Sequence, residues 1–198
     1  MRDAVAAIRA GLPVILPTDT VYGLVCAAGS AEPTERLYAL KGRSSEQPSA
    51  LLARDVETLF HAVPELGERE TAIVRALLPG PYTLVVPNPA RRFPWITGTS
   101  SETIGVRVPR LPEPAARVLH EVCCVVATSA NLPGGPDPAR VDDVPSVLRE
   151  QVGAVVDAGE LPGTPSTVVD LTGAEPCILR DGAVPAAAAL ALIASALH

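Results

Sequence analysis

At 198 residues, 47% of them hydrophobic and 19% charged, the chain has material for one sizeable α/β core and does not have the composition of a disordered or fibrous protein. A formal net charge of −6 and a pI near 5.1 argue against a generic nucleic-acid binder, which carries a basic excess, yet leave room for a local basic groove. The 15 glycines and 21 prolines fall between apolar runs and read as loop punctuation.

Asp3 predicts the cap of a short amphipathic helix ending at Gly11. Residues 14–16 and 24–27 read as buried strands, and between them lies the polar run Pro17-Thr18-Asp19-Thr20-Val21-Tyr22-Gly23. A helix is expected over 32–40, with Pro33 in its first turn and Gly42 as its stop, so that Lys41 and Arg43 flank its end. Residues 50–53 form a strand, and helices follow from Asp55 and Glu68. Pro79-Gly80-Pro81 introduces a strand over 83–86. The alternating stretch 103–108 puts Arg107 on the face opposite Val106 and Val108.

A helix over 114–122 leads into the apolar strand 124–127, which ends in Thr128-Ser129-Ala130-Asn131. The Pro/Gly-rich stretch 132–140 is expected to be a mobile loop whose composition permits a lid. A helix is expected over 143–152, strands over 154–157, 167–170 and 178–180, and a final apolar helix over 183–197 packed on the domain. Several strands follow one another without an intervening helix, which predicts a mixed sheet with helices against it.

None of the four cysteines forms a C-x-x-C pair, and all lie in or beside apolar runs, so they read as buried thiols. No signal peptide is visible, and the apolar tail is too short for a membrane span, so the expected setting is cytoplasmic and reduced, with no membrane partner. The chain has no Walker loop, G-x-G-x-x-G, G-x-S-x-G or H-E-x-x-H, and its three histidines make a zinc enzyme a poor fit. Nucleotide binding, if present, must rely on side-chain cations and loop hydroxyls. Lys41 and Arg43 offer charge for phosphate or carboxylate, Ser129 and Asn131 offer directional hydrogen bonds, and the planar fork of Arg107 suits a carboxylate.

In order along the chain stand Pro17-Thr18-Asp19-Thr20-Val21-Tyr22-Gly23-Leu24, Lys41-x-Arg43, Pro79-Gly80-Pro81-x-Thr83, Val106-Arg107-x-Pro109, Ser129-Ala130-Asn131, Ser166-Thr167-Val168-Val169-Asp170 and Leu179-Arg180-x-Gly182. Through these motifs the chain resembles the YrdC/TsaC family of threonylcarbamoyl-AMP synthases over nearly its whole length. The resemblance implies a single YrdC-like domain over 1–198, with a twisted mixed sheet, flanking helices and an open groove. It also implies a nucleotidyltransferase reaction in which L-threonine, bicarbonate and ATP give threonylcarbamoyl-AMP and pyrophosphate. The product would serve threonylcarbamoyl modification of a tRNA adenosine beside the anticodon.

By matched position, the resemblance assigns threonine contacts to Thr20, Arg107, Ser129 and Ser166. It assigns ATP contacts to Lys41, Arg43, Gln47, Thr103, Asn131 and Arg180, with Lys41 and Arg43 as the catalytic cations. Mg²⁺ is expected to accompany ATP, held largely by phosphate oxygens and water. A transient contact with tRNA, or with the complex that transfers the threonylcarbamoyl group, is a further implied partnership. Three positions depart from the family pattern: Ser44 stands where a proline is usual, Leu52 where some members carry histidine, and Ala139 where a hydroxyl is common. The alternatives are an RNA-binding relative without adenylation activity and a carbamoyl-adenylating relative. Low aromatic content (3%) and acidic balance weigh against the first.

Overall fold

The computed structural model describes residues 1–197. Helix α1 (Arg2–Arg9) leads to the hairpin β1 (Val14–Pro17) and β2 (Tyr22–Ala27). Then come α2 (Ala31–Lys41), β3 (Ala50–Ala53), α3 (Val56–Ala62) and α4 (Glu68–Leu77), followed by β4 (Tyr82–Pro87), β5 (Thr103–Arg107), α5 (Glu113–Val122) and β6 (Cys124–Ser129). The chain finishes with α6 (Ser146–Arg149), β7 (Ala154–Val155), β8 (Thr167–Asp170), β9 (Cys177–Arg180) and α7 (Ala186–Ala196).

The strands form one sheet in the order β7-β1-β2-β6-β3-β5-β4-β8-β9. β1–β7, β3–β5 and β4–β8 are parallel and the other neighbours antiparallel, which is the expected mixed sheet. Successive residues enter different clusters. Ile15, Leu24 and Leu51 pack in the large core with Leu37, Leu59 and Ile73 of the helices. Val14, Val25 and Leu52 join a second cluster with Ile8 of α1 and Val118 and Leu119 of α5. Burial on both faces explains why these strands read as continuous apolar runs rather than alternating ones.

The second face is covered only in part. On β3, β5, β4 and β8, the residues Leu51, Val106, Leu84 and Val169 go to the large core. Their neighbours Ala50, Leu52, Gly105, Arg107, Thr83, Val85 and Val168 floor a cavity instead. The two-residue period of the strand therefore sets the core and the groove back to back.

Several local expectations are corrected. Met1, not Asp3, occupies the N-cap of α1; Asp3 lies in the first turn, where its carboxylate faces the positive end of the helix. The helix expected over 143–152 is instead a 3₁₀ turn, Val141–Asp143, then the four-residue α6, because Pro145 breaks the run. Of the cysteines only Cys26 is buried; Cys124 is half-buried, while Cys123 and Cys177 are exposed. No helix among the described residues is long and apolar enough to cross a membrane.

Candidate active site

A cavity of about 380 Å³ opens on the uncovered part of the sheet. Seven of the ten residues singled out from the sequence line it: Thr20, Arg43, Thr103, Arg107, Ser129, Ser166 and Arg180. Lys41 and Asn131 stand at its corner. Gln47 does not reach the wall; it is exposed, and its N–H bonds to the Ser44 carbonyl at 3.2 Å.

The first corner is set by how α2 ends. Gly42 adopts φ 67°, a left-handed cap that glycine enters without strain, and the N–H of Arg43 bonds back to the Tyr38 carbonyl at 2.9 Å. This turn sends Lys41 and Arg43 toward the end of β6. Lys41 is only 3% exposed, and its Nζ donates to Thr128 Oγ1 (3.0 Å), the Ser129 carbonyl (2.5 Å) and Asn131 Oδ1 (3.0 Å). Ser129 Oγ donates to the same Asn131 oxygen at 2.7 Å. The cation and the Ser-Ala-Asn turn are thus one unit, although α2 and β6 are far apart in sequence.

Burial pulls the Lys41 pKa down to about 8, the neighbouring Arg43 charge adds to this, and Asp137 opposes it. Three acceptors around Nζ match the three protons of an ammonium. Lys41, assigned above as a catalytic cation in contact with ATP, therefore underlies the cavity wall and is not part of its surface. Arg43 is half-buried and does form wall. It donates to the Pro48 carbonyl at 2.6 Å and to Thr128 Oγ1 at 3.4 Å, its guanidinium lies 6.0 Å from the Tyr38 ring centroid, and its buried Nε has no partner.

The second corner is built around Arg107. Its Nη2 donates to Asp19 Oδ1 and to Thr20 Oγ1 (2.8 Å), while Nε is buried without a partner. Burial lowers the Arg107 pKa, and the Asp19 charge works against that shift. Asp19 Oδ2 also accepts the Arg110 N–H at 2.9 Å, so both carboxylate oxygens are engaged. Thr18 Oγ1 lies 3.0 Å from Thr20 Oγ1 and donates to the Val21 carbonyl at 2.7 Å, which fixes the polar loop between β1 and β2. Tyr22 is structural: its hydroxyl ties β2 to Asp157 and Gly159 at 2.8 and 2.7 Å.

The third element is Arg180, exposed at the end of β9, with Nη2 on the Ser166 carbonyl at 2.8 Å and on Ser166 Oγ at 3.2 Å. Ser166 Oγ lies 2.8 Å from Thr83 Oγ1. A side chain on Gly182 would collide with the Pro165 and Ser166 backbone, so only glycine lets the chain leaving β9 pass this close.

The loop over 132–140, expected to be mobile, is anchored. Asn131 Nδ2 donates to the Gly135 carbonyl at 2.7 Å, and the Pro138 carbonyl accepts from Tyr22 N–H at 2.9 Å. Asp143 Oδ2 accepts from the N–H groups of Ala139 and Arg140. Where a proline would stiffen the turn after Arg43, Ser44 Oγ accepts the Glu46 N–H at 3.2 Å. Leu52 lines the floor of the cavity.

The sequence reading missed the hydroxyl-rich segment Thr97-Gly98-Thr99-Ser100, of which Thr97, Thr99 and Ser100 face the cavity, and it missed Asp137. The clustering of hydroxyls was the available signal for the first. Nothing in local spacing marked the second. Among the described residues, no group of three His, Cys, Asp or Glu side chains is placed to hold a metal ion.

This geometry gathers three guanidiniums and several hydroxyls around one space, an arrangement suited to an anionic ligand with directional hydrogen bonds. Residues 6–182 match the profile of the Sua5/YciO/YrdC family, which carries the description "Telomere recombination". The chain belongs to that family. It is 38% identical over 186 residues to a Mycobacterium tuberculosis protein, covering 92% of this chain and 83% of that one. It is 36% identical over 183 residues to the threonylcarbamoyl-AMP synthase of Halorhodospira halophila, covering 92% and 90%.

Among solved structures, Pyrococcus abyssi Sua5 complexed with L-threonine superposes with a TM-score of 0.89 at 32% identity, covering 97% of this chain. The chain spans 56% of that longer protein. Escherichia coli YciO aligns with a TM-score of 0.79 at 27% identity, over 91% of this chain and 87% of YciO. The Sua5/YciO/YrdC-like twisted sheet expected from the sequence is thus the observed fold.

Proposed function

We propose that the protein is a threonylcarbamoyl-AMP synthase, joining L-threonine, bicarbonate and ATP into threonylcarbamoyl-AMP with release of pyrophosphate. The observation that carries the reading is the convergence of Arg43, Arg107 and Arg180 with Thr20, Ser129 and Ser166 on one cavity. Relatives named for this activity, and one solved with L-threonine, support it.

In this reading, the amine of threonine adds to bicarbonate, water leaves, and a carbamate oxygen attacks the α-phosphorus while pyrophosphate departs. Two anions must be held together, so the protein's main task is to offset their repulsion and align them. Arg107 offers its fork to the threonine carboxylate, held in place by Asp19, and Thr20 Oγ1 stands beside it to meet the substrate's polar groups. Arg43 and Arg180 face the triphosphate from two sides, and Lys41 holds the Ser129–Asn131 turn that completes the wall. Catalysis rests on position and charge, with no covalent intermediate on the protein. Transfer of the product to tRNA belongs to a later enzyme in this reading.

Purified protein with ATP, Mg²⁺, bicarbonate and labelled threonine is expected to release pyrophosphate only when both threonine and bicarbonate are present. Release that ignores either co-substrate, or no release at all, overturns the proposal.

A further inference from the structure

Two carboxylates stand near the cavity, and they are not equivalent. Asp19 has both oxygens engaged, by Arg107 and by the Arg110 N–H. Asp137, on the anchored loop after Asn131, lines the cavity wall and is the one carboxylate that does so among the described residues. Asn131 Nδ2 donates to Asp137 Oδ1 at 3.4 Å, and Asp137 takes part in no salt bridge within the described residues. Its charge is felt at Lys41, beneath the wall that also carries Arg43.

A carboxylate there is puzzling on the nucleotide reading alone. The wall otherwise carries cations, and a negative group facing a triphosphate weakens its binding. A divalent cation between them reverses the sign. Mg²⁺ is usually held by one or two carboxylates together with substrate phosphates, keeping several waters, and not by a protein cage. A cavity wall with one carboxylate, held only by a long hydrogen bond from Asn131, among guanidiniums suited to phosphates fits that mode.

We propose that Asp137 is the protein's anchor for the Mg²⁺ that accompanies ATP, engaging the ion directly or through one of its waters. The proposal rests on the adenylating function argued above. It makes the loop over 132–140 part of the nucleotide site through its charge, and not through movement.

The test is ATP affinity by isothermal titration, with excess Mg²⁺ and with EDTA, for wild type, Asp137→Asn and Asp137→Ala. Adenosine serves as a phosphate-free control, and thermal unfolding as a check on the fold. With Mg²⁺, both variants are expected to bind ATP roughly tenfold more weakly than wild type. In EDTA the order reverses, and the variants bind ATP a few-fold more tightly because a repelling charge has gone. Adenosine affinity stays unchanged.

Loss of ATP affinity by the same factor in both conditions, no change in either, or a parallel loss for adenosine would overturn the proposal. So would unfolding of both variants, which would make Asp137 a structural residue. Failure of wild type to bind ATP under any condition would instead remove the nucleotide reading on which the proposal stands.

Discussion

Among the described residues, two cavities of about 380 Å³ each differ in nearly everything except volume. The first lies on the open face of the sheet and gathers three arginines and a ring of hydroxyls. The second lies between the ends of α1, β2 and α5, walled by Ile8, Val122, Phe93 and the thiols of Cys123 and Cys124. Its two charged residues, Arg9 and Glu121, are exposed and neutralise each other at 3.2 Å. In the first cavity two guanidinium nitrogens, Arg43 Nε and Arg107 Nε, are buried without partners. Space alone therefore does not make a site; uncompensated, converging polar groups do.

The widest separation between the cavities is expected from Arg107→Ala. It removes the fork proposed for the substrate carboxylate and leaves Asp19 buried without its cation. Turnover should fall by about 10²-fold or more, and stability by roughly 3–5 kcal/mol, as when one partner of a buried pair is deleted. Steady-state kinetics and urea unfolding check both. A variant that keeps near-normal turnover would dissolve the contrast.

Lys41→Ala comes next. Because Nζ carries three hydrogen bonds from beneath the wall, the variant should lose turnover and also about 2 kcal/mol of stability, from those bonds and the space the side chain filled. A groove-surface lysine would lose turnover alone, so urea unfolding beside the kinetics separates the two roles.

A pH profile sharpens the same point. With its pKa held down to about 8, Lys41 is charged below that value and discharges as pH rises through it. kcat/KM for ATP should be level below pH 8 and decline by about tenfold per unit above it. In Lys41→Arg that limb should move out of range. An alkaline limb that persists in the arginine variant would assign it to another group.

The smallest effect belongs to the second cavity. Arg9→Ala removes one half of an exposed ion pair and should change stability by less than about 1 kcal/mol and turnover not at all. Altered turnover in that variant would mean the second cavity participates.

The period of residues 103–108 already put Arg107 opposite Val106 and Val108, and the structure places the first on the cavity and the others in the core. Gly42 marked the helix stop, and its left-handed cap is what swings Lys41 and Arg43 toward β6. The resemblance assigned Lys41 and Asn131 to one ligand, and Lys41 Nζ indeed donates to the Ser129 carbonyl and Asn131 Oδ1, at 2.5 and 3.0 Å.

Other features depend on the tertiary fold and left no local trace. The burial of Lys41 arises because the last residue of α2 meets the end of β6 and the turn after it. Asp137 sits in a Pro/Gly run that reads as mobile, yet the hydrogen bonds of Asn131 and Tyr22 hold it against the wall. Gln47 shows the converse: a residue assigned by motif position whose turn points it to solvent.

In the function proposed here, one cavity holds both the triphosphate and the amino acid. The most direct measurement is a crystal structure of the protein soaked with a non-hydrolysable ATP analogue and L-threonine together. Phosphate density is expected beside Arg43 and Arg180, with the threonine carboxylate on Arg107 in the same cavity. Ligand density in the cavity between α1 and α5, or the two ligands on separate faces, would contradict it.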